Sequence, residues 1–142
     1  MKTIRQILDD KGRDYWHVGP GSTVYEAVRL MADREIGSVL VMEGDVLKGI
    51  LTERDYARKV VLEGLSSPEL PVERIMSTNV LYARPDQSVD ECMALMTDKR
   101  VRHLPVIEAG AVVGIVSIGD MVKAVIDEQQ FIIEQLEQYI AG

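Results

Sequence analysis

The sequence predicts a mixed α/β (α+β) fold, with two pseudo-symmetric β-α-β-β-α repeats packed sheet to sheet and an extended C-terminal helix. Three observations predict it. Sliding the chain against itself by 65 positions aligns Pro20–Asp55 with Pro85–Asp120 without a gap, and 11 of those 36 positions are identical. Within both aligned stretches a helix-periodic apolar pattern is followed by two β-rich runs, in the same order. Beyond Asp120, an apolar seam through Val122, Ile126, Gln129, Ile133, Leu136 and Ile140 keeps helical spacing to the end of the chain.

Each repeat opens with a short extended segment, Tyr15–Val18 or Val80–Ala83, and a turn carrying Pro20 or Pro85. A helix follows, announced by a capping box of Thr23 with Glu26 or Ser88 with Glu91. Its apolar face is Val24, Ala27, Val28 and Met31 in the first copy, and Val89, Cys92, Met93 and Met96 in the second. Two strand-like runs come next. They are Ser38–Met42 and Val46–Leu51, joined through Glu43-Gly44-Asp45, and His103–Ile107 and Ala111–Val116, joined through Glu108-Ala109-Gly110. A second helix closes each repeat, with Thr52 or Ser117 as N-cap and Asp55 or Asp120 three residues on. The first of these helices should stop near Glu63-Gly64. The expected division is repeat 1 over 1–64, a linker over 65–71, repeat 2 over 72–126, and a helical extension over 127–142. A half of about 60 residues exposes too much apolar surface to stand alone, so two copies should pack together and leave two related clefts.

Composition narrows the function. The 142 residues are 46% hydrophobic and 27% charged, with a net charge of −7, and an acidic chain is a poor nucleic-acid binder. No apolar run approaches the ~20 residues that span a bilayer, and Met1–Asp10 has no apolar signal core. The acidic helical extension carries no Lys or Arg after Lys123, which argues against a membrane surface. A single cysteine, Cys92, suits the cytoplasm. Two histidines, His17 and His103, with one cysteine give no zinc-ligand spacing, so no metal is expected. Gly-rich phosphate loops and nucleophile elbows are absent from the sequence, and no catalytic residue is expected.

The chemistry concentrates where each strand meets the second helix. Gly49-Ile50-Leu51-Thr52-Glu53-Arg54-Asp55 and Gly114-Ile115-Val116-Ser117-Ile118-Gly119-Asp120 both set a hydroxyl at a helix N-terminus and a carboxylate one turn on. The helix terminus favours an anion, and the carboxylate offers two acceptors to vicinal hydroxyls such as a ribose diol. A Thr-x-x-Asp is equally an ordinary cap, so a capping role stands beside the binding role.

These two segments, the stretch Arg102-His103-Leu104-Pro105-Val106 and the 65-residue spacing resemble the tandem cystathionine-β-synthase (CBS) domain pair, or Bateman module, over about residues 1–126. The run Thr52–Val60 is similar to a stand-alone bacterial and organellar subgroup. The resemblance implies a non-enzymatic energy- or redox-sensing module. It would bind an adenine nucleotide (AMP, ADP, ATP or NAD(H), with AMP or NAD(H) foremost), form a homodimer, and act on a protein target in trans. It assigns ribose contacts to Asp55 and Asp120 beside Thr52 and Ser117, and places Arg102 and His103 at the phosphate of the Asp55 site. Gly37 and Ser38 stand where Arg102 and His103 do, so the Asp120 site lacks that cation and would either prefer an adenosine end or borrow Arg54, Arg58 or Lys59 for phosphate. Trp16 lies in the strand that lines the adenine pocket in this family. The alternatives are a purely structural dimerisation module and, less favoured, a weak nucleotide-hydrolysing enzyme.

Overall fold

The computed structural model describes residues 2–141. The chain forms two compact units, one over Asp14–Leu81 and one joining residues 2–13 to 82–141. The sequence repeats and the compact units therefore divide the chain at different places. Residues 2–13, inside the expected first repeat, fold with 82–141, while 65–81, the expected linker and the start of the expected second repeat, stay with 14–64.

In the unit Asp14–Leu81, β1 (His17–Val18) runs parallel to β2 (Ser38–Glu43), which pairs antiparallel with β3 (Val46–Thr52). Helix α2 (Val24–Arg34) starts at Thr23, whose hydroxyl accepts the Glu26 N–H at 3.1 Å. The Glu26 side chain does not return the bond, so this box is half made. Val24, Ala27 and Met31 of α2 pack with Val39, Val41 and Leu51 of the sheet, and with Val60, Leu70, Val72 and Ile75. Residues 65–81 complete the unit. Val72–Arg74 forms a 3-10 turn, and Ser77 bridges Ile50 through two hydrogen bonds of 2.9 and 3.0 Å. That crossing needs a residue without Cβ at Gly49, where an added methyl would lie 2.8 Å from the Ser77 carbonyl oxygen.

The helix expected after Thr52 is not regular. A single turn, α3 (Glu53–Asp55), passes into a π-helix over Tyr56–Val61, with the Leu62 N–H reaching the Ala57 carbonyl at 3.2 Å. The wider winding buries Val60 and returns Lys59 towards Asp55. Gly64, at φ 68°, ends it where the sequence indicates.

The other unit begins with a helix that the repeat pattern does not announce, α1 (Ile4–Lys11). Thr3 and Gln6 form a full capping box, and Ile4, Ile7 and Leu8 are buried. Helix α4 (Val89–Lys99) repeats α2, again with a half-made box at Ser88. The hairpin of β4 (His103–Glu108) and β5 (Ala111–Ser117) repeats β2 and β3, and α5 (Ile118–Ala141) is one continuous helix. The strand expected over Val80–Ala83 shrinks to one parallel bridge, Ala83 to Val106. In the first unit the Leu40 N–H bonds the Trp16 carbonyl at 3.2 Å. Pro105 occupies the equivalent position and has no N–H to give. Helix α1 seats Leu8 against Gly114, where an added Cβ would lie 2.8 Å from a Leu8 methyl.

Candidate functional site

Each hydroxyl–aspartate pair closes a reciprocal capping box. The Asp55 N–H donates to Thr52 Oγ1 at 3.0 Å, and the Thr52 N–H donates to Asp55 Oδ2 at 3.1 Å. The Asp120 N–H donates to Ser117 Oγ at 3.2 Å, and the Ser117 N–H donates to Asp120 Oδ2 at 2.8 Å. The first N–H of each turn is also engaged, Glu53 by the Gly37 carbonyl at 3.1 Å and Ile118 by the Arg102 carbonyl at 2.9 Å. The open amides expected at these helix starts are thus largely taken, and an anion here must rely on side-chain cations.

Those cations are present. Lys59 Nζ lies 3.1 Å from Asp55 Oδ1 and donates to the Ile75 carbonyl at 3.0 Å. Lys11 Nζ donates to Asp120 Oδ2 at 2.7 Å and to the Ile115 carbonyl at 3.0 Å. The side chains of Asp55 and Asp120 are 13% and 23% exposed, so both pairs are partly withdrawn from water while still reachable. A carboxylate has about four acceptor positions, and each aspartate spends two on protein. Asp55 spends one on each oxygen. Asp120 spends both on Oδ2, which accepts from Lys11 Nζ and from the Ser117 N–H.

The remaining sequence-derived candidates divide by unit. Ser38 is buried and registers opposite Thr52, with Gly37 beside it; Arg54 and Arg58 are exposed nearby on α3 and the π-helix. His103 registers opposite Ser117, with exposed Arg102 beside it, so both belong to the unit of Asp120. Trp16 precedes β1 and is 40% exposed. Its ring carries the Arg34 guanidinium, centred 4.0 Å from the ring centroid, which occupies one face of the indole.

Lys11 was missed. The repeat offset maps it onto Met76, which carries no charge, and its reach to Asp120 crosses 109 positions of sequence. The spacing of Ile4, Ile7 and Leu8 behind Thr3-x-x-Gln6 would have revealed α1, though not what its last residue touches.

Elsewhere the chemistry is quiet. Cys92 is buried on α4, and burial, helped by the neighbouring Glu91 charge, pushes its thiol up to about 11. Among the described residues no group of three or more His, Cys, Asp or Glu side chains is placed to hold a metal. No helix among them is long and apolar enough to cross a membrane.

Comparison with known proteins identifies the family. The family model of the CBS domain matches twice, over residues 5–62 and 72–127. The mitochondrial CBS domain-containing protein CBSX3 of Arabidopsis thaliana is 38% identical over 99% of this chain and 72% of its own. A solved structure of a CBS-domain protein from Burkholderia ambifaria MC40-6 superposes with a TM-score of 0.87 at 53% identity, covering 90% of this chain and 96% of that one. The CBS domain pair of protein MJ0100, solved with methylthioadenosine and S-adenosyl-L-methionine, shares the fold at a TM-score of 0.79 and 24% identity, covering 90% and 98% of the two chains. With the family matched on both repeats and the hydroxyl–aspartate turn present in each, the chain belongs to the CBS domain family and carries its domains as a tandem pair.

Proposed function

We propose that this CBS pair is a non-catalytic regulatory module that binds adenine nucleotides, AMP or NAD(H) foremost, and acts on a protein partner in trans. The observation that carries the proposal is the twice-built turn in which a lysine-paired aspartate keeps about half its acceptor positions for a ligand. A ribose diol is the natural occupant, with Asp55 meeting one hydroxyl on each oxygen and Asp120 presenting Oδ1. Thr52 and Ser117 orient the two carboxylates, Ser38 and Gly37 flank the first, and His103 and Arg102 flank the second. Arg54, Arg58 and Lys59 supply positive charge near Asp55, and the open face of Trp16 suits a purine. The adenosyl compounds in the MJ0100 complex support the ligand class. The exposed apolar side chains of α5, among them Ile126, Ile133, Leu136 and Ile140, support a homodimer.

The test is calorimetric titration with AMP and NAD(H). Asp55→Ala and Asp120→Ala should each remove one binding step, with a loss of roughly 10- to 100-fold for a charged hydrogen-bond pair. Full binding in the double variant overturns the proposal. The capping boxes favour one other reading, in which both aspartates serve stability alone. That reading requires melting temperatures to fall in both variants while affinity is unchanged. Incubation with ATP followed by product analysis separates a binding module from a hydrolase.

A further inference from the structure

We infer that Lys11 is the residue that makes the Asp120 site select phosphorylated nucleosides over free ones. The inference rests on the reading of Asp120 as a ribose contact, and three observations lead to it.

The ammonium is held, not trailing in solvent. Its stem leaves the last residue of α1, which is anchored by buried Ile4, Ile7 and Leu8 and closed by the Gly12 N–H on the Leu8 carbonyl at 2.8 Å. Two of its three N–H bonds point at Asp120 Oδ2 and the Ile115 carbonyl. The third has no protein acceptor among the described residues, and the lysine side chain is 33% exposed. A phosphate oxygen is the acceptor that best completes such a donor set.

Charge points the same way. A phosphate ester approaching a bare aspartate on a chain of net charge −7 would be repelled. At 2.7 Å the Lys11 charge cancels that of Asp120. The backbone offers little substitute, because the Ile118 and Asp120 N–H groups are already bonded.

The other unit reaches the same arrangement independently. Lys59 pairs with Asp55 and with the Ile75 carbonyl, again using two of three donors. The two lysines are not repeat equivalents, since the 65-residue offset carries Lys59 to Ala124 and Lys11 to Met76. Two unrelated positions supply one pattern, a carboxylate and a carbonyl fixing an ammonium with a donor to spare.

The experiment uses the full chain carrying Asp55→Ala, so that the remaining isotherm belongs to Asp120. AMP and adenosine are titrated with Lys11 intact, with Lys11→Met, which keeps the stem and removes the charge, and with Lys11→Arg. Lys11→Met should weaken AMP roughly tenfold and leave adenosine unchanged, and Lys11→Arg should restore the preference. With Lys11 intact, the AMP-to-adenosine affinity ratio should shrink as salt is raised, a readout independent of how any Lys11 variant folds. Equal losses for AMP and adenosine overturn the inference, because Lys11 would then act only by seating α1. Tighter binding of both overturns it too, because Lys11 would then be a plug competing for Asp120. Binding of neither ligand with Lys11 intact is a separate result: it removes the ribose reading of Asp120 itself.

Discussion

Replacing Gly49 with alanine should destabilise the protein more than replacing Gly114, although the two glycines are repeat equivalents. In Gly49→Ala the new Cβ meets the Ser77 carbonyl oxygen at 2.8 Å, with Met76 Sδ at 2.8 Å and Cγ at 2.9 Å. The methionine end can swing away. The carbonyl cannot, because it accepts the Ile50 N–H at 3.0 Å while the Ser77 N–H returns a bond of 2.9 Å to Ile50. In Gly114→Ala the obstacles are the two methyls of Leu8, at 2.8 and 3.3 Å, which yield by rotation within a tight core. Overpacking costs about 1–3 kcal/mol, and the restricted unfolded chain of alanine returns about 0.4–1 kcal/mol. The net expectation is about 2 kcal/mol for Gly49→Ala and about 1 kcal/mol or less for Gly114→Ala. For a chain of this size these correspond to drops in Tm of about 6 °C and about 3 °C. Urea titrations followed by circular dichroism, with thermal melts alongside, measure both. Shifting Ser77 also disturbs the neighbouring Ile75 carbonyl that fixes Lys59, so nucleotide affinity at Asp55 should fall with stability. A Gly49→Ala protein as stable as the parent, or a Gly114→Ala protein more damaged than Gly49→Ala, would refute the reasoning.

Three further outcomes follow from other features. Cys92 should resist thiol reagents at pH 8, where a thiol raised to about 11 is ionised in roughly one molecule in a thousand, and labelling should track unfolding. Its raised folded-state value contributes stability that is complete below the ordinary thiol range near pH 8.5 and is lost as pH climbs towards 11. The urea midpoint of the parent should therefore fall more steeply above pH 9 than that of Cys92→Ala, and parallel curves would contradict this. On α5, Ile133→Glu with Leu136→Glu should convert the proposed homodimer into a monomer by sedimentation while leaving nucleotide affinity within a unit intact. An unchanged mass would place the dimer contact elsewhere.

Much of the fold was legible because its signals are local. The hairpins appear within a residue of their expected ends, since short runs of β-branched and other apolar residues, broken by Gly44-Asp45 or Ala109-Gly110, settle a two-residue turn without outside help. The aspartates were legible because a capping box is written in four adjacent residues. The departures come from partners distant in sequence. Pro105 sits inside a good strand pattern, and its missing N–H matters only because the neighbouring strand lies against it. The π-helix follows a sequence with ordinary helical spacing, and its winding accompanies the reach of Lys59 to Ile75, 16 positions away.

The cations at the two carboxylates show why repeat symmetry was a guide to the fold and an incomplete one to the site. Symmetry carries the aspartates from one copy to the other, and by that logic the Asp120 site lacked a cation because Gly37 stands where Arg102 does. Yet a partly buried carboxylate needs a counter-charge wherever the chain can bring one, because leaving it unpaired costs more than the pair returns. In one unit the π-helix brings Lys59; in the other, a helix from the opposite end of the chain brings Lys11. The duplication therefore preserved the residue that must not move, the aspartate one turn past the hydroxyl. The residue that answers its charge was free to come from anywhere the fold closes, and the two carboxylates are answered from different elements.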